Sequence, residues 1–115
     1  MTLRWAQAAK VELEEAVEWY EAQVEGLGDH LMKEIVAATV LVERFPQAWH
    51  PLSKRARSHR LNRFPYALIY TGEAADEVVI LALAHQHRKP FYWRDRIKAS
   101  VQPPVQPPDF QNTRR

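Results

Sequence analysis

Val78-Val79-Ile80-Leu81-Ala82-Leu83-Ala84 is a continuous run of apolar residues. A strand with one solvated face alternates between apolar and polar residues, whereas an unbroken apolar run indicates a strand that is covered on both faces. We therefore predict that residues 78–84 form a central strand of a sheet, buried on both sides.

Two more strands are predicted directly before this run. Residues 66–70, Tyr-Ala-Leu-Ile-Tyr, form one of them, and residues 57–64 alternate in the manner of a half-exposed strand. Pro65 separates the two, and because proline cannot donate a ladder hydrogen bond, any pairing there lies at a turn or an edge. The acidic stretch 71–77 is typical of a hairpin loop, and residues 46–56 are predicted to form a loop as well.

The first 45 residues follow the period of a helix instead. One face of a first helix is given by Leu13, Ala16, Val17, Tyr20 and Val24, and one face of a second by Leu31, Ile35, Ala38, Val42 and Phe45. Gly26 and Gly28 interrupt the pattern between the two helices, and Pro46 ends the second. Because the link is short, the two helices should form an antiparallel hairpin.

The chain is completed by a short element at each end of this arrangement. Leu3 and Trp5 alternate with polar neighbours and predict an opening strand, and residues 88–98 predict a short last helix that starts near Pro90. The order β-α-α-β-β-β predicts an α+β fold, a small antiparallel sheet with the N-terminal helical hairpin packed on one face.

Composition narrows the class of protein. The chain has 115 residues and no cysteine, which excludes disulfide scaffolds, cysteine zinc sites and thiol nucleophiles. No stretch approaches the roughly 20 apolar residues of a membrane span, and the N-terminus lacks the apolar core of a signal peptide. We expect a soluble, cytoplasmic protein with no contact to a membrane.

The net charge of +2 hides an uneven distribution. Residues 1–45 carry four basic and nine acidic side chains, whereas residues 46–100 carry ten basic and four acidic ones. A basic half can attract a polyanion or an acidic partner. The two halves can equally pair with each other at a solvated surface, and the sequence leaves both interpretations open.

The domain boundary is predicted from the C-terminal composition. Residues 1–98 are expected to form one domain, and residues 99–115 contain two pairs of prolines and no apolar period. We expect this tail to be a disordered extension.

Four segments in this order resemble the RelE/ParE toxin superfamily: Glu18-Trp19-Tyr20-Glu21, Gly26-Leu27-Gly28, Arg63-Phe64-Pro65-Tyr66 and Ala84-His85-Gln86-His87-Arg88-Lys89-Pro90-Phe91-Tyr92-Trp93. The last is most similar to ParE-like "plasmid stabilisation" members, and the resemblance spans residues 1–98. It implies a type II toxin that a cognate antitoxin neutralises by wrapping around it. Within the superfamily, RelE-like members cut messenger RNA at the ribosome without a metal, and ParE-like members poison DNA gyrase.

The resemblance implies candidate site residues at matching positions. Arg63, Arg88 and Tyr92 match the catalytic pattern if the chain is RelE-like, with His87 as a further candidate; arginine forks suit phosphate oxygens, and tyrosine or histidine can move protons. The basic residues Lys54, Arg55, Arg57 and Arg60 are candidates for binding the target or a nucleic acid. A structural role is the alternative for several candidates. The 54–57 charge run can be a solvated loop, and Tyr92 can be a packing residue. His85, a further candidate for moving protons, can be a histidine that is hydrogen-bonded within the sheet.

A metal site is not expected. His85 and His87 on one strand would point to opposite faces of the sheet, and no cluster of carboxylates lies nearby in the sequence. We expect no cofactor.

Three hypotheses about function follow. The first is a ParE-like toxin that inhibits DNA gyrase by binding, and the second is a ribosome-dependent, metal-independent endoribonuclease that acts on messenger RNA. The third is a non-toxic relative that only binds an antitoxin or regulates. The expected partners are an antitoxin and either gyrase or the ribosome with its messenger RNA. A homodimer and a toxin–antitoxin hetero-oligomer both remain open.

Overall fold

A computed structural model describes residues 2–72 and 77–97 of the chain. In those residues the elements are β1 (Thr2–Trp5), α1 (Gln7–Gln23), α2 (Leu27–Arg44), β2 (His50–Pro51), β3 (Arg57–Arg60), β4 (Tyr66–Thr71) and β5 (Glu77–His85). The predicted order of elements and the α+β class are confirmed. The predicted tail, residues 99–115, lies outside the described residues. No helix in the described ranges is long and apolar enough to cross a membrane.

The described strands form one sheet in the order β1-β5-β4-β3-β2, so the apolar run 78–84 lies in an interior strand, as predicted. β3 pairs antiparallel with β4, and β4 with β5. The prediction of an antiparallel sheet is wrong at one edge, because β1 pairs parallel with β5. The two helices lie between β1 and the later strands in the sequence, so no tight turn joins β1 to β5. β1 can therefore run in the same direction as β5.

The turn between the helices depends on two glycines and one carboxylate. Gly26 has a φ of 90°, a left-handed conformation that favours glycine. The Glu21 carboxylate accepts hydrogen bonds from the backbone N–H groups of Gly26 (2.9 Å) and Gly28 (3.0 Å). A Cβ added at Gly28 would lie 2.7 Å from the carbonyl oxygen of Val17, so the close crossing of α1 and α2 requires a residue without a side chain.

Two apolar cores lie on opposite faces of the sheet. The helices cover the first, in which Leu31, Ile35 and Val42 pack on Tyr70 and Ile80. The second lies on the other face and contains Ile69, Val79, Leu81, Trp93 and Ile97. Burial on both faces explains why β5 has no polar positions between Val78 and Leu83.

Three boundaries differ from the prediction. The strand predicted over 57–64 ends at Arg60, and the predicted loop 46–56 contains the two-residue strand β2. The predicted last helix begins later than expected, because residues 90–94 form turns and the helix starts at Asp95. The physical reason lies at Phe91, whose φ of 61° is left-handed and cannot be part of a right-handed helix.

Candidate functional site at the end of the central strand

The site begins with an uneven pairing at the edge of the sheet. β1 has four residues and pairs with residues 77–80 of β5, so among the described parts of the chain residues 81–85 have no strand beside them on that edge. Side chains satisfy its backbone instead. The Leu83 N–H donates to Glu12 Oε1 (3.0 Å), and the Leu81 carbonyl accepts from the Arg96 guanidinium (2.9 Å). Glu12 and Arg96 thus take the place of a neighbouring strand.

The carboxylate of Glu12 is the centre of a hydrogen-bonded cluster. It accepts from the Tyr92 hydroxyl (2.8 Å) and from both terminal nitrogens of Arg96 (3.0 and 3.1 Å). Nη1 of Arg88 lies 3.9 Å from Oε2 of Glu12. The Glu12 side chain is only 13% exposed, so this carboxylate needs such partners to remain charged inside the protein. The cluster fixes residues 88–97 on α1 and β5.

Tyr92 is held in its neutral form. Burial raises the pKa of the Tyr92 hydroxyl, and its hydrogen bond to the Glu12 carboxylate raises that pKa further. The Arg88 guanidinium lies 3.8 Å from the centre of the Tyr92 ring and lowers the pKa, but the net shift is upward. The hydroxyl therefore acts as a hydrogen-bond donor to Glu12.

Arg88 and His85 border a cleft of about 340 Å³ between α1 and the ends of β4 and β5. Glu15, Trp19 and Tyr66 form part of the same cleft. Trp19, 57% exposed, is the aromatic side chain in this cleft that faces the solvent most openly. Arg88 is also half exposed, so its guanidinium, held by Glu12 and Tyr92, is accessible to a partner at the rim of the cleft.

The histidine pair is arranged differently from the prediction. β5 ends at His85, and His87 lies in the following turn, so the two rings lie 5.2 Å apart and not on opposite faces. The His87 N–H donates to Nδ1 of His85 (3.1 Å), which places the ring proton of neutral His85 on Nε2. A metal at Nε2 would require the proton on Nδ1 and would break this bond. No group of three or more potential ligands that could hold a metal occurs in residues 2–72 and 77–97.

Arg60 and Arg63 lie at the same end of the sheet as His85. Arg60 is the last residue of β3, and Arg63 lies in the loop between β3 and β4. The Glu34 carboxylate of α2 accepts from the backbone N–H groups of Asn62 and Arg63, which fixes this loop against the helical hairpin. The loop contacts the end of β5, because the Gln86 N–H donates to the Pro65 carbonyl (2.9 Å). Arg63 borders a separate depression beside Tyr20, which also lines the cleft of Arg88.

The other basic residues lie at the opposite end of the sheet. Lys54, Arg55 and Arg57 line a depression near Gly72, where β3 begins and β4 ends. The six residues of β4 separate the two ends by about 20 Å. Arg57 also has a structural role, since its guanidinium donates to the Trp49 carbonyl (2.8 Å) and the Gln47 side chain (3.0 Å). The predicted residues therefore form two groups, with Arg60, Arg63, His87, Arg88 and Tyr92 at one end.

Sequence reasoning missed Glu12 and Arg96, on which the geometry of Arg88 and Tyr92 depends. Glu12 lies between Ala9 and Ala16, both buried, and their spacing of three and four residues places Glu12 on the inner side of α1. That spacing was the available signal. Arg96 carries no comparable signal, because its role depends on the unpaired edge of β5.

Comparisons with known proteins agree with this architecture. Residues 3–90 match the family model described as the ParE toxin of type II toxin–antitoxin systems, parDE. Eight chains of solved structures match as well. One of them, described as the chromosomal ParDE TA system from P. aeruginosa, shares 19% sequence identity with a TM-score of 0.58. That alignment covers 74% of this chain and 95% of the other. None of the curated proteins matches the chain.

Because the family model matches more than half of the residues, the chain belongs to the family of ParE toxins of type II toxin–antitoxin systems. This confirms the resemblance to the RelE/ParE superfamily. The structural match at 19% identity confirms the fold.

Proposed function

We propose that the protein inhibits DNA gyrase by direct contact and is neutralised by a cognate antitoxin. Membership of the ParE toxin family supports a partner antitoxin, since the family is defined by paired toxin–antitoxin systems. Because gyrase acts on DNA inside the cell, this target implies that the toxin works in the cytoplasm.

The state of Tyr92 is the observation on which the choice of contact over RNA cleavage depends. Metal-free RNA cleavage requires one group that removes the proton of the 2′-hydroxyl and another that protonates the leaving oxygen. The Tyr92 hydroxyl is engaged with Glu12 at 2.8 Å, and burial raises its pKa. A neutral tyrosine is poorly suited to remove a proton, and its own proton is already donated to Glu12 instead of a leaving oxygen, so the cluster supports a structural role for Tyr92.

The remaining candidates suit binding. Arg60, Arg63 and Arg88 are exposed around the end of the sheet. Exposed arginines speed the approach of an acidic or nucleic-acid-bound partner and can form paired hydrogen bonds with carboxylates and phosphates. We propose that Arg63 and Arg88 contact the target, while Glu12 and Tyr92 hold Arg88 in position.

The helical hairpin supports an antitoxin-binding surface. Several large apolar side chains are at least 39% exposed on its helices and their ends, namely Val11, Trp19, Val24, Val36, Val40, Leu41 and Phe45. Val36 and Val40 lie one turn apart on α2, and a surface of adjoining exposed apolar side chains marks an interaction site. We propose that an amphipathic segment of the antitoxin covers part of it, which favours a toxin–antitoxin hetero-oligomer over a homodimer of the toxin.

The proposed function is tested with purified toxin in two assays run in parallel. In a gyrase supercoiling reaction, we expect the wild-type toxin to inhibit and Arg88→Ala to inhibit at least about tenfold less, because an interface arginine is worth about 1.4 kcal/mol or more. In a coupled translation extract, we expect messenger RNA to remain intact. The matched control is Lys33→Ala, which removes an exposed positive charge on α2.

Two results would contradict the proposal. Undiminished supercoiling together with site-specific cleavage of messenger RNA would establish the RelE-like endonuclease instead. Inactivity in both assays, with binding of an antitoxin retained, would establish a non-toxic relative.

A further inference from the structure

The segment 88–94 carries a strained residue that the proposed contact with gyrase does not use. Phe91 has a φ of 61° and is the described non-glycine residue with a positive φ. For a bulky L-residue this conformation costs about 1–2 kcal/mol, and strain of this kind is concentrated at functional positions. The backbone of the turn is closed by the Arg94 N–H, which donates to the Phe91 carbonyl (3.0 Å).

The residues that follow Phe91 are anchored in the protein, whereas the Phe91 ring is partly exposed and its centre lies 5.4 Å from that of the Trp93 ring. The Tyr92 hydroxyl binds Glu12, and the Trp93 side chain is 4% exposed in the second core. Phe91 is 40% exposed, although an aromatic ring of this size is normally covered. The left-handed turn is what allows Tyr92 and Trp93 to be anchored while the Phe91 ring remains outside.

Basic side chains lie on the segment that carries this ring, and one of them contacts it. The Arg94 guanidinium lies 5.4 Å from the centre of the Phe91 ring, and Arg88 and Lys89 are exposed on the preceding residues. The described residues 86–97 contain four basic side chains and one acid, Asp95. The Glu12 carboxylate faces Arg96 and Arg88 from α1, whereas Lys89 and Arg94 are exposed.

We propose that Arg88, Lys89, Phe91 and Arg94 form a binding site for single-stranded nucleic acid. An unpaired base presents a flat face that can stack on the Phe91 ring, and the phosphates on either side can contact the three cations. A duplex hides its base faces by internal stacking, and the carboxylates of an acidic peptide engage the cations but do not stack on the Phe91 ring. The arrangement of one exposed aromatic ring among cations therefore fits a single strand better than either.

This inference goes beyond contact with gyrase, because its ligand is a nucleic acid and its test contains no gyrase. The full-length toxin is titrated into fluorescently labelled oligothymidylate and oligouridylate of about 12 nucleotides at low salt, and the anisotropy is recorded. Both strands share the proposed chemistry, and the ratio of the two affinities identifies the preferred sugar.

Phe91→Leu is the decisive variant, because leucine keeps the apolar character and the backbone strain and removes only the aromatic face. We expect its dissociation constant to rise about fivefold or more. Lys89→Gln and Arg94→Gln should each reduce the dependence of log K on log salt concentration by about 0.7. The matched controls are Phe45→Leu, an exposed phenylalanine on α2's end, and Lys10→Gln on α1, which should leave the affinity unchanged.

Several results would overturn the proposal. These are the absence of binding to either strand at low salt, equal affinity of Phe91→Leu and wild type, or an equal loss for Phe45→Leu. Tighter binding to a duplex of the same length would exclude the single strand as the ligand. Near-ultraviolet circular dichroism establishes that Phe91→Leu is folded; if it is not, the salt dependence of Lys89→Gln and Arg94→Gln decides alone.

Discussion

Glu12→Gln is the perturbation that tests the cluster at the end of β5 most severely. The substitution keeps the size of the side chain and removes its charge. It leaves Arg96 without the carboxylate that receives two of its hydrogen bonds, at 3.0 and 3.1 Å, and it weakens the bond from Tyr92. The side chains of Glu12 and Arg96 are 13% and 23% exposed, so solvent replaces the lost partner only in part.

The expected loss of stability follows from these contacts. Breaking a buried ion pair by removing one partner costs about 3–5 kcal/mol, and the partial exposure of Arg96 lowers the expectation to about 2–4 kcal/mol. A domain of this size has a total stability of about 5–15 kcal/mol, so the change is a large fraction of it. It corresponds to a decrease in Tm of roughly 10–20 °C.

The assay is urea unfolding followed by circular dichroism and by tryptophan fluorescence, because Trp93 lies on the segment that Glu12 fixes. Glu15→Gln is the matched control: the residue is exposed on the same helix and borders the same cleft, so we expect a change below about 0.5 kcal/mol. A free energy of unfolding for Glu12→Gln within about 0.5 kcal/mol of wild type would refute the reasoning.

Two further predictions concern the hairpin and the sheet. Gly28→Ala places a Cβ 2.7 Å from the Val17 carbonyl oxygen. The substitution should lower the free energy of unfolding by about 1–3 kcal/mol, because this clash exceeds the gain in helix propensity. Thermal unfolding measures the loss, and Gly72→Ala, whose added Cβ would have its nearest atom at 3.6 Å, is the control. Burial lowers the pKa of His59 more than Glu34 raises it. The unfolded chain therefore binds the proton more readily, and the contribution of His59 to stability is present above about pH 6.5 and is lost as the pH falls through the lower pKa of the folded state. His59→Gln should flatten the loss of stability between about pH 7.5 and 5, and an unchanged slope would contradict the assignment.

Much of the fold could be predicted because the sequence distinguishes clearly between the spacing of apolar residues in helices and the apolar run of a buried strand. The apolar run 78–84 indicates a strand buried on both faces, and helical spacing indicates the two helices of the hairpin. The parallel pairing of β1 could not be predicted, since four residues with Leu3 and Trp5 specify a strand but not its neighbour. The last helix was predicted, but its start was placed too early, because residues 88–94 contain helix-forming residues and nothing local reveals the left-handed Phe91.

The site was predictable in part. Similarity to a family indicated Arg88 and Tyr92, which the structure places in contact, and Arg63, which it places in a neighbouring loop. The 54–57 charge run lies at the other end of the sheet, a separation that only the pairing of β3 with β4 determines. Glu12 is one of six glutamates in α1 or just beyond it, and its importance depends on the unpaired edge of β5. One interpretation of the uneven charge was that the acidic first half forms ion pairs with the basic second half. Glu12 and Arg96 form such an ion pair.

The central claim is that the toxin acts by contact and that Tyr92 is a structural residue. Its most direct test is the growth of a susceptible bacterial cell that expresses the Tyr92→Phe variant at the level of wild type. The substitution removes one hydroxyl and costs about 1 kcal/mol of stability, so the account predicts that growth arrest persists together with a DNA damage response. Normal growth with the folded variant present would contradict it, because the variant keeps the aromatic ring that Arg88 contacts and lacks only the hydroxyl.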